Sequence, residues 1–336
     1  MSKIFYIIIL VFAGLFLCKK GVSQVDPHSS QYYMNPLFIN PANGGMFNGS
    51  YRVAAVYRNQ WRSITNAFST IALTADLNTE KNINFGINIL NQSAGDAGYN
   101  FFNGYFSVAY SGIRFGKGNK QQISLGLQAG IIRRKVDPSK FKFGDQWNPI
   151  TGYDPSNTSN DVLATSSASS FDAGAGILYF DGDDDKKINP YLGFSAFHLS
   201  KPKDPFIDKA DKKNIPVRYA VHGGISLTLS DVVTVVPNLL YMRQGAAEEK
   251  MVGAYAALYA GTDVDLLIGA NYRFNDAVSP FAGFTVKRFT VGLSYDANIS
   301  SLGKMAGNAS NFELTLSYIG KRKDKPNLNY LKCPRL

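Results

Sequence analysis

Apolar and polar residues alternate with a period of two along most of the chain after residue 50. In residues 83–89, INFGINI, isoleucine and phenylalanine occupy the odd positions, and asparagine or glycine the even ones. Residues 123–131, ISLGLQAGI, have the same pattern, as do FTVGLSYD and FELTLSYI near the end. An apolar face opposite a small or polar face is typical of a half-buried β-strand.

We count about fourteen such segments, each with roughly the 9–11 residues that a tilted strand needs to cross a membrane. Their centres are Val53, Ile71, Phe85, Phe106, Leu127, Ala175, Phe194, Val221, Val235, Tyr255, Ile268, Phe281, Val291 and Leu316. The predicted fold is therefore all-β: a transmembrane outer-membrane β-barrel of about 14 antiparallel strands, with a plug-like segment before it.

The connections between these segments give a second signal. Counted from the first strand, the odd connections are mostly long: 58–66, 91–99, 133–169, 200–216, 243–250 and 297–310. The even ones are mostly short, such as 230–231 and 287–288. Long loops on one side and tight turns on the other are typical of outer-membrane barrels. Closure of the barrel pairs every strand edge, as lipid requires.

The first 23 residues have the features of a secretory signal peptide. Lys3 is followed by an apolar run over residues 4–17, and then by the small residues Gly21 and Ser23. We therefore divide the chain into a signal peptide (1–23), an N-terminal periplasmic or plug segment (24–50), the barrel (51–320) and a basic periplasmic tail (321–336). Cleavage before Gln24 leaves Cys333 as the only cysteine, which excludes an internal disulfide.

Residues 31–45, QYYMNPLFINPANGG, predict neither a helix nor a strand. Each proline lacks a backbone donor and restricts the asparagine before it. We expect this segment to pack into or beneath the periplasmic mouth as a small plug, filled by Tyr32, Tyr33, Leu37 and Phe38. The alternative is a flexible leader to the first strand.

Signals of catalysis or of cofactor binding are weak. The net charge of +10 could suggest nucleic acid, but the export signal argues against it. His198 and His222 lie on neighbouring predicted strands without a carboxylate or cysteine at ligand spacing. The acidic run DGDDD at 181–185 has no calcium-loop pattern and is interpreted as a polar turn. No serine lies in a nucleophile-elbow context. We predict no enzyme activity, no cofactor and no metal.

Two regions could contact partners. The longest loop contains Phe141, Phe143, Trp147 and Tyr153, and with Trp61 it could form an outward docking or gating surface. The alternative is that this loop folds into the barrel and only closes it. The basic tail could contact a periplasmic partner or anionic headgroups; its candidate residues are Lys321, Arg322, Lys323, Cys333 and Arg335.

Several pieces of the chain, taken in order, resemble the PorP/SprF family of outer-membrane proteins of type IX secretion in the Bacteroidetes. They are QYYMNPLFINPANGG, YRNQW at 57–61, FKFGDQWNPITGYDP in the longest loop, YLGFSAFHLSKP at 191–202, VGLSYDANISSL at 291–302, FELTLSYIG and the terminal CPRL. The final Leu336 departs from the aromatic residue that often ends the family.

The resemblance implies a non-enzymatic role in the secretion or surface attachment of large adhesins, including those used in gliding. The implied partners are the C-terminal domain of the secreted adhesin, periplasmic ring and lipoprotein components of the secretion machine, and outer-membrane lipid, with both termini periplasmic. Alternatives are a fatty-acid-channel-like barrel for hydrophobic small molecules, a diffusion porin, and a barrel lipase or protease.

Overall fold

The described part of the chain forms a closed β-barrel. The computed structural model describes residues 26–61, 67–79, 81–95, 98–159, 166–203, 214–261, 263–300 and 311–320. The barrel strands are β1 (Tyr51–Gln60), β2 (Phe68–Leu77), β3 (Ile83–Ala94), β4 (Tyr99–Phe115), β5 (Gln121–Lys135), β8 (Ser167–Asp181), β9 (Ile188–Phe197), β10 (Arg218–Ser230), β11 (Val233–Gln244), β12 (Ala247–Tyr259), β13 (Val264–Arg273), β14 (Ala277–Val286), β15 (Phe289–Asn298) and β16 (Asn311–Gly320). Each is antiparallel to its neighbours, and β16 closes on β1. Every predicted segment centre lies in one of these 14 strands, so the predicted fold is confirmed.

The alternation separates a polar lumen from an apolar outer surface. On β2 and β3 the inward residues Thr74 and Asn88 are buried, whereas the outward residues Ile71, Leu73 and Ile87 are 50%, 48% and 49% exposed. An exposed apolar surface of this kind, repeated around the barrel, is the lipid-facing band of an outer-membrane barrel.

The two ends of the barrel differ as predicted, with two exceptions. The connections 136–166 and 198–217 leave from what we call the long-loop end; β1 begins at the opposite, short-turn end. The predicted long connections 91–99 and 243–250 are wrong. Strand β3 continues to Ala94 and β4 begins at Tyr99, which leaves only residues 95–98 between them. Strand β11 continues to Gln244 and β12 begins at Ala247, with Gly245 at a φ of 60° in the tight turn. The predicted loop includes the polar run Glu248–Lys250, but the backbone of this run pairs with β11.

The remaining elements are not strands of the barrel wall. Three short 3-10 helices precede β1: η1 (Tyr32–Met34), η2 (Pro36–Phe38) and η3 (Pro41–Asn43). The helix η4 (Lys117–Asn119) lies in the turn after β4. The longest described loop contains η5 (Pro138–Lys140), η6 (Gly144–Gln146) and a hairpin of β6 (Trp147–Asn148) and β7 (Gly152–Tyr153). Within the described residues, no helix has the length and the apolar character needed to cross a membrane.

Candidate functional site

Residues 26–50, which we call the plug, run through the lumen from one end of the barrel to the other. Asp26 lies at the long-loop end, where it contacts His198 beyond β9 and Arg218 at the start of β10. At the short-turn end, the backbone N–H of Ser50 donates to the carbonyl of Gly320. We expected this segment to pack into or beneath the mouth near β1; it enters the barrel at that end and continues through the lumen to the long-loop end.

The sequence of the plug explains why it does not pair with the strands. Pro36 and Pro41 occupy the first positions of η2 and η3, where a missing N–H has no cost. Asn40 caps η3, because its side-chain oxygen accepts from the N–H of Ala42 at 2.9 Å. Its amide nitrogen donates to the carbonyl oxygen of Ile177 in β8 at 2.9 Å.

Glycines in the barrel wall make room for this close approach. A Cβ at Gly176 or Gly193 would collide with the Asn40 side chain, and one at Gly126 would collide with the backbone of Pro41 and Ala42. These three glycines are therefore places where the plug lies directly against the wall.

The wall of β8–β14, which we call the dry side, packs tightly on the plug. The ring of Tyr33 stacks on Tyr255 with centroids 4.9 Å apart, and meets Phe281 edge-on at 5.6 Å. The hydroxyl of Tyr32 donates to Asn238 at 2.9 Å. Aromatic pairs of this geometry add to the burial of apolar area, so this side holds the η1 part of the plug.

The first ionic anchor centres on Arg58 of β1. Its guanidinium contacts Glu313 and Asp296 at 2.8 Å each, and also donates to the hydroxyl of Ser30 at 2.6 Å. Arg273 reaches the same Asp296 carboxylate at 2.9 Å. All four charged side chains are buried. Pairing and hydrogen bonding compensate the cost of burying these charges.

Glu313 also fixes the backbone of the plug. Its carboxylate oxygens accept from the N–H groups of Ser30 at 2.9 Å and of Gln31 at 2.8 Å, and from the hydroxyl of Ser29 at 2.6 Å. One carboxylate therefore replaces the strand partners that this irregular segment lacks.

The second ionic anchor holds the first described residue of the plug. His198 lies between two carboxylates, with Nε2 2.8 Å from Asp26 and Nδ1 2.6 Å from Asp172. The Tyr105 hydroxyl donates to Asp172 at 2.5 Å, and Arg218 lies 3.1 Å from Asp26. Burial alone would lower the pKa of His198, but the two carboxylates raise it to about 9. The imidazolium form therefore bridges the plug to the wall at neutral pH.

The pKa of Asp26 moves in the complementary direction. Burial alone would raise it, but the charges of His198 and Arg218 hold the pKa of Asp26 below its usual range. At the short-turn end, Asp76 completes the attachment: it pairs with Arg52 at 2.9 Å and accepts from the N–H of Gly45 at 2.9 Å.

The opposite wall, β2–β5, which we call the wet side, packs closely on η3, where the hydroxyl of Ser124 donates to the carbonyl oxygen of Ala42 at 2.8 Å, but leaves a space beside Asn35 and Phe38. A cavity of about 50 Å³ lies between this wall and the plug, toward the long-loop end. Its lining includes Asn35 and Phe38 of the plug, and Asn88, Asn103 and Gln128 of the wall. One ordered water needs roughly 10–15 Å³, so the cavity has room for about four water molecules.

The predicted outward surface lies outside the lumen. Residues 137–159, which we call the aromatic loop, stack Phe141 on Phe143 at 5.7 Å and place Trp147 against Tyr153 at 5.8 Å. Trp147 is 56% and Ile150, at the tip of the hairpin, 93% exposed. None of these residues lines the cavity, so the alternative of a loop folded into the barrel is not what the described part of the chain shows.

The other predicted residues are placed as follows. Trp61 meets Phe68 edge-on at 5.2 Å at the end of β1 and does not join the aromatic loop. Of the predicted plug side chains, Tyr32, Tyr33 and Leu37 are buried, while Phe38 is half-buried beside the cavity. Lys321, Arg322, Lys323, Cys333 and Arg335 lie outside the described residues, as does the predicted signal peptide.

The arrangement gives little support to catalysis. Both ring nitrogens of His198 are bound by carboxylates, so neither can accept a proton from a serine. His222 contacts Asn40 at 3.2 Å instead of joining His198. Among the described residues, no group of three histidine, cysteine or carboxylate side chains could hold a metal ion. The acidic turn pairs internally, with Asp181 2.6 Å from Lys186.

Sequence reasoning missed the ionic anchors. Arg58, Asp296 and Glu313 lie in segments that carry the family resemblance, but none of them is among the predicted site residues. The available signal was register. Each occupies an inward position in a strand, and apart from Arg52 in β1 the other inward residues of these strands are small or neutral. Which of these charges meet in space depends on strand pairing across the closing seam, which local pattern does not give.

The chain was then compared with known proteins. The family model described as "Type IX secretion system membrane protein PorP/SprF" matches residues 21–318. No curated protein sequence matches the chain. The toluene transporter TbuX of Ralstonia pickettii is 10% identical over 86% of this chain and 93% of its own, with a TM-score of 0.51. The Pseudomonas putida toluene transporter TodX is 7% identical over 89% and 99%, with a TM-score of 0.52. At these identities the likeness shows the fold alone.

Proposed function

The chain belongs to the PorP/SprF family of type IX secretion system membrane proteins, and on that premise we propose that it supports the export or surface attachment of large adhesins. It is an outer-membrane barrel, and family and fold favour a non-enzymatic role. In this proposal the long-loop end faces outward, and the short-turn end and basic tail face the periplasmic machinery.

One observation supports the proposal: exposed aromatic and apolar side chains lie on the aromatic loop, while the plug occupies the lumen. Trp147 and Ile150 are exposed on a hairpin with its own hydrogen bonds, and Lys142 lies over the Tyr153 ring at 5.0 Å. Exposed aromatic anchors on an ordered loop suit contact with a folded protein domain. We infer that the substrate's C-terminal domain docks here, and that it does not pass through this barrel.

A channel for hydrophobic small molecules is the principal alternative, and a diffusion porin is another. Buried ion pairs hold the plug at both ends, and the cavity beside it, of about 50 Å³, has a mixed lining of apolar, amide and charged side chains. A channel for hydrocarbons would need a continuous path through the lumen, and the plug occupies the lumen from one end to the other. The geometry therefore favours the secretion role.

The test removes the exposed anchors and leaves the barrel intact. We expect Trp147→Ala combined with Ile150→Ser to reduce adhesin display on whole cells at least tenfold, in a strain without its own copy. Val232→Ser is the matched control, because Val232 is also 56% exposed but lies at the short-turn end. Barrel insertion is checked by gel mobility without heating. Normal display by a correctly inserted double variant would refute docking on this loop.

A further inference from the structure

The side chains that line the cavity on the wet side have no role in the proposed function. It lies between the plug and β2–β5. Arg58 of the first ionic anchor and His198 and Arg218 of the second are among the residues that line it. The apolar residues Phe38, Val56 and Leu90 form another part of its lining. Because the cavity is separate from the aromatic loop, a role for it is independent of the docking proposal.

Six buried polar atoms around this cavity have no hydrogen-bond partner within the described protein. Three are donors and three are acceptors: Nδ2 of Asn35, Nε of Arg58 and Nε of Arg218, and the side-chain oxygens of Asn88, Asn103 and Gln128. The assignment of Asn35 is fixed, because its oxygen accepts from the hydroxyl of Thr74 at 2.9 Å. Its nitrogen is therefore the free end.

Buried polar atoms without a protein partner require a bound molecule that can hydrogen-bond to them. Buried polar groups in native proteins are nearly always hydrogen-bonded, and leaving one without a partner is unfavourable. Unpartnered atoms occur elsewhere in the described lumen, such as the Tyr191 hydroxyl and Thr315 Oγ1, but those residues do not line this cavity. The convergence of six on one space indicates a ligand-binding site.

The charges around the cavity indicate that the ligand is neutral. Arg58 is compensated by Asp296 and Glu313, and Arg218 by Asp26. An added ion would be buried among charges that are already paired, with no free counter-charge beside it, which is unfavourable. A molecule that both donates and accepts can satisfy the two sets together.

We propose that this cavity is a binding site for small neutral amides and polyols, filled by ordered water in their absence. The amide wall on β3–β5 binds the polar groups, while Phe38, Val56 and Leu90 contact the carbon atoms of the ligand. The site is entered from the long-loop end, where Asp26 and His28 lie at its edge. Toward the short-turn end, Leu37 packs at Gly86 and closes it.

Fluorine NMR of the full chain in detergent tests this site with three probes. Trifluoroacetamide is neutral and both donates and accepts, trifluoroacetate is an anion of nearly the same shape, and benzotrifluoride is apolar; empty micelles serve as the blank. We expect saturable broadening of the trifluoroacetamide signal only, reversed by glycerol. Gln128→Leu and Asn103→Leu should each weaken this binding at least fivefold.

Gln122→Leu is the matched control, because Gln122 is also a buried inward residue of β5 but bonds Met46 of the plug, away from the cavity. This variant should bind trifluoroacetamide as the wild type does. The proposal is overturned if the amide does not saturate, if either other probe competes equally, or if Gln122→Leu loses as much binding as Gln128→Leu. A high-resolution structure showing the cavity dry or filled by an acyl chain would also overturn it.

Discussion

The dry and wet sides hold the same plug by different means. On the dry side, Tyr32 and Tyr33 are almost fully enclosed by side chains from β11, β12 and β14. On the wet side, Asn35 and Phe38 face a cavity lined by amides without partners. The first side derives its stability from shape and apolar burial. The second buries part of Phe38 against an apolar cluster that includes Val56 and Leu90, but it also leaves polar groups that depend on solvent or a ligand.

This difference indicates on which side the plug can exchange its contacts. Close-packed apolar surfaces resist displacement, because each lost contact leaves a void. A hydrated polar surface can exchange one set of hydrogen bonds for another at low net cost. We therefore expect changes in occupancy on the wet side, with the dry side and the ionic anchors as the fixed frame.

The largest effect should come from an aromatic residue on the dry side. Tyr33→Ala removes the contacts with Tyr255 and Phe281 and should lower the free energy of unfolding by about 3–5 kcal/mol. Phe38→Ala on the wet side should cost roughly 1–2 kcal/mol, because part of its ring already faces the cavity. Urea unfolding in detergent, followed by gel mobility, measures both. Equal losses would contradict the distinction between the two sides.

The anchor at His198 should make plug stability depend on pH. The folded-state pKa of about 9 lies above the ordinary value of 6.5, so the contribution is complete below about 6.5 and declines as pH rises. It is lost as pH passes about 9. The full contribution of protonated His198 to the free energy of unfolding is on the order of 3 kcal/mol. Asp26, Asp172, Arg218 and Tyr105 are the charged and titratable groups that surround it.

Comparison of the wild type with His198→Gln isolates this contribution from other groups that titrate in the same range. The difference in urea midpoint between the two proteins should be largest at pH 6 and should nearly vanish by pH 10. A difference that stays constant across this range would show that His198 acts as a neutral hydrogen-bonding residue, not as a charge.

The barrel was predictable from sequence because strand alternation is a local pattern. The outward apolar residues and the inward small or polar ones repeat within each segment, so Ile83–Ala94 could be identified without its neighbours. The polar start of β12 shows the limit. The run Glu248–Lys250 has no apolar alternation, and only pairing with β11 makes it a strand.

The path of the plug could not be predicted in this way. Its prolines exclude strand pairing, but they do not indicate how far the segment enters the lumen. That depth depends on contacts such as Asn40 with β8 and Glu313 with Ser30, which join residues far apart in the chain. The aromatic loop is an intermediate case: its residues were identified, but the stacking that makes them a surface was not.

The smallest effect should come from a single amide on the wet side. Asn88→Leu removes an oxygen that has no protein partner, so the free energy of unfolding should change by no more than about 1 kcal/mol, the net value of a hydrogen bond to water. Asn40→Leu is the same substitution in the plug, against the dry side, and loses both the cap of η3 and the bond to the Ile177 carbonyl. It should cost about 1–3 kcal/mol. Urea titration of the pair compares the two surfaces directly. A loss at Asn88 as large as that at Asn40 would mean that the wet side is held by fixed bonds, as the dry side is.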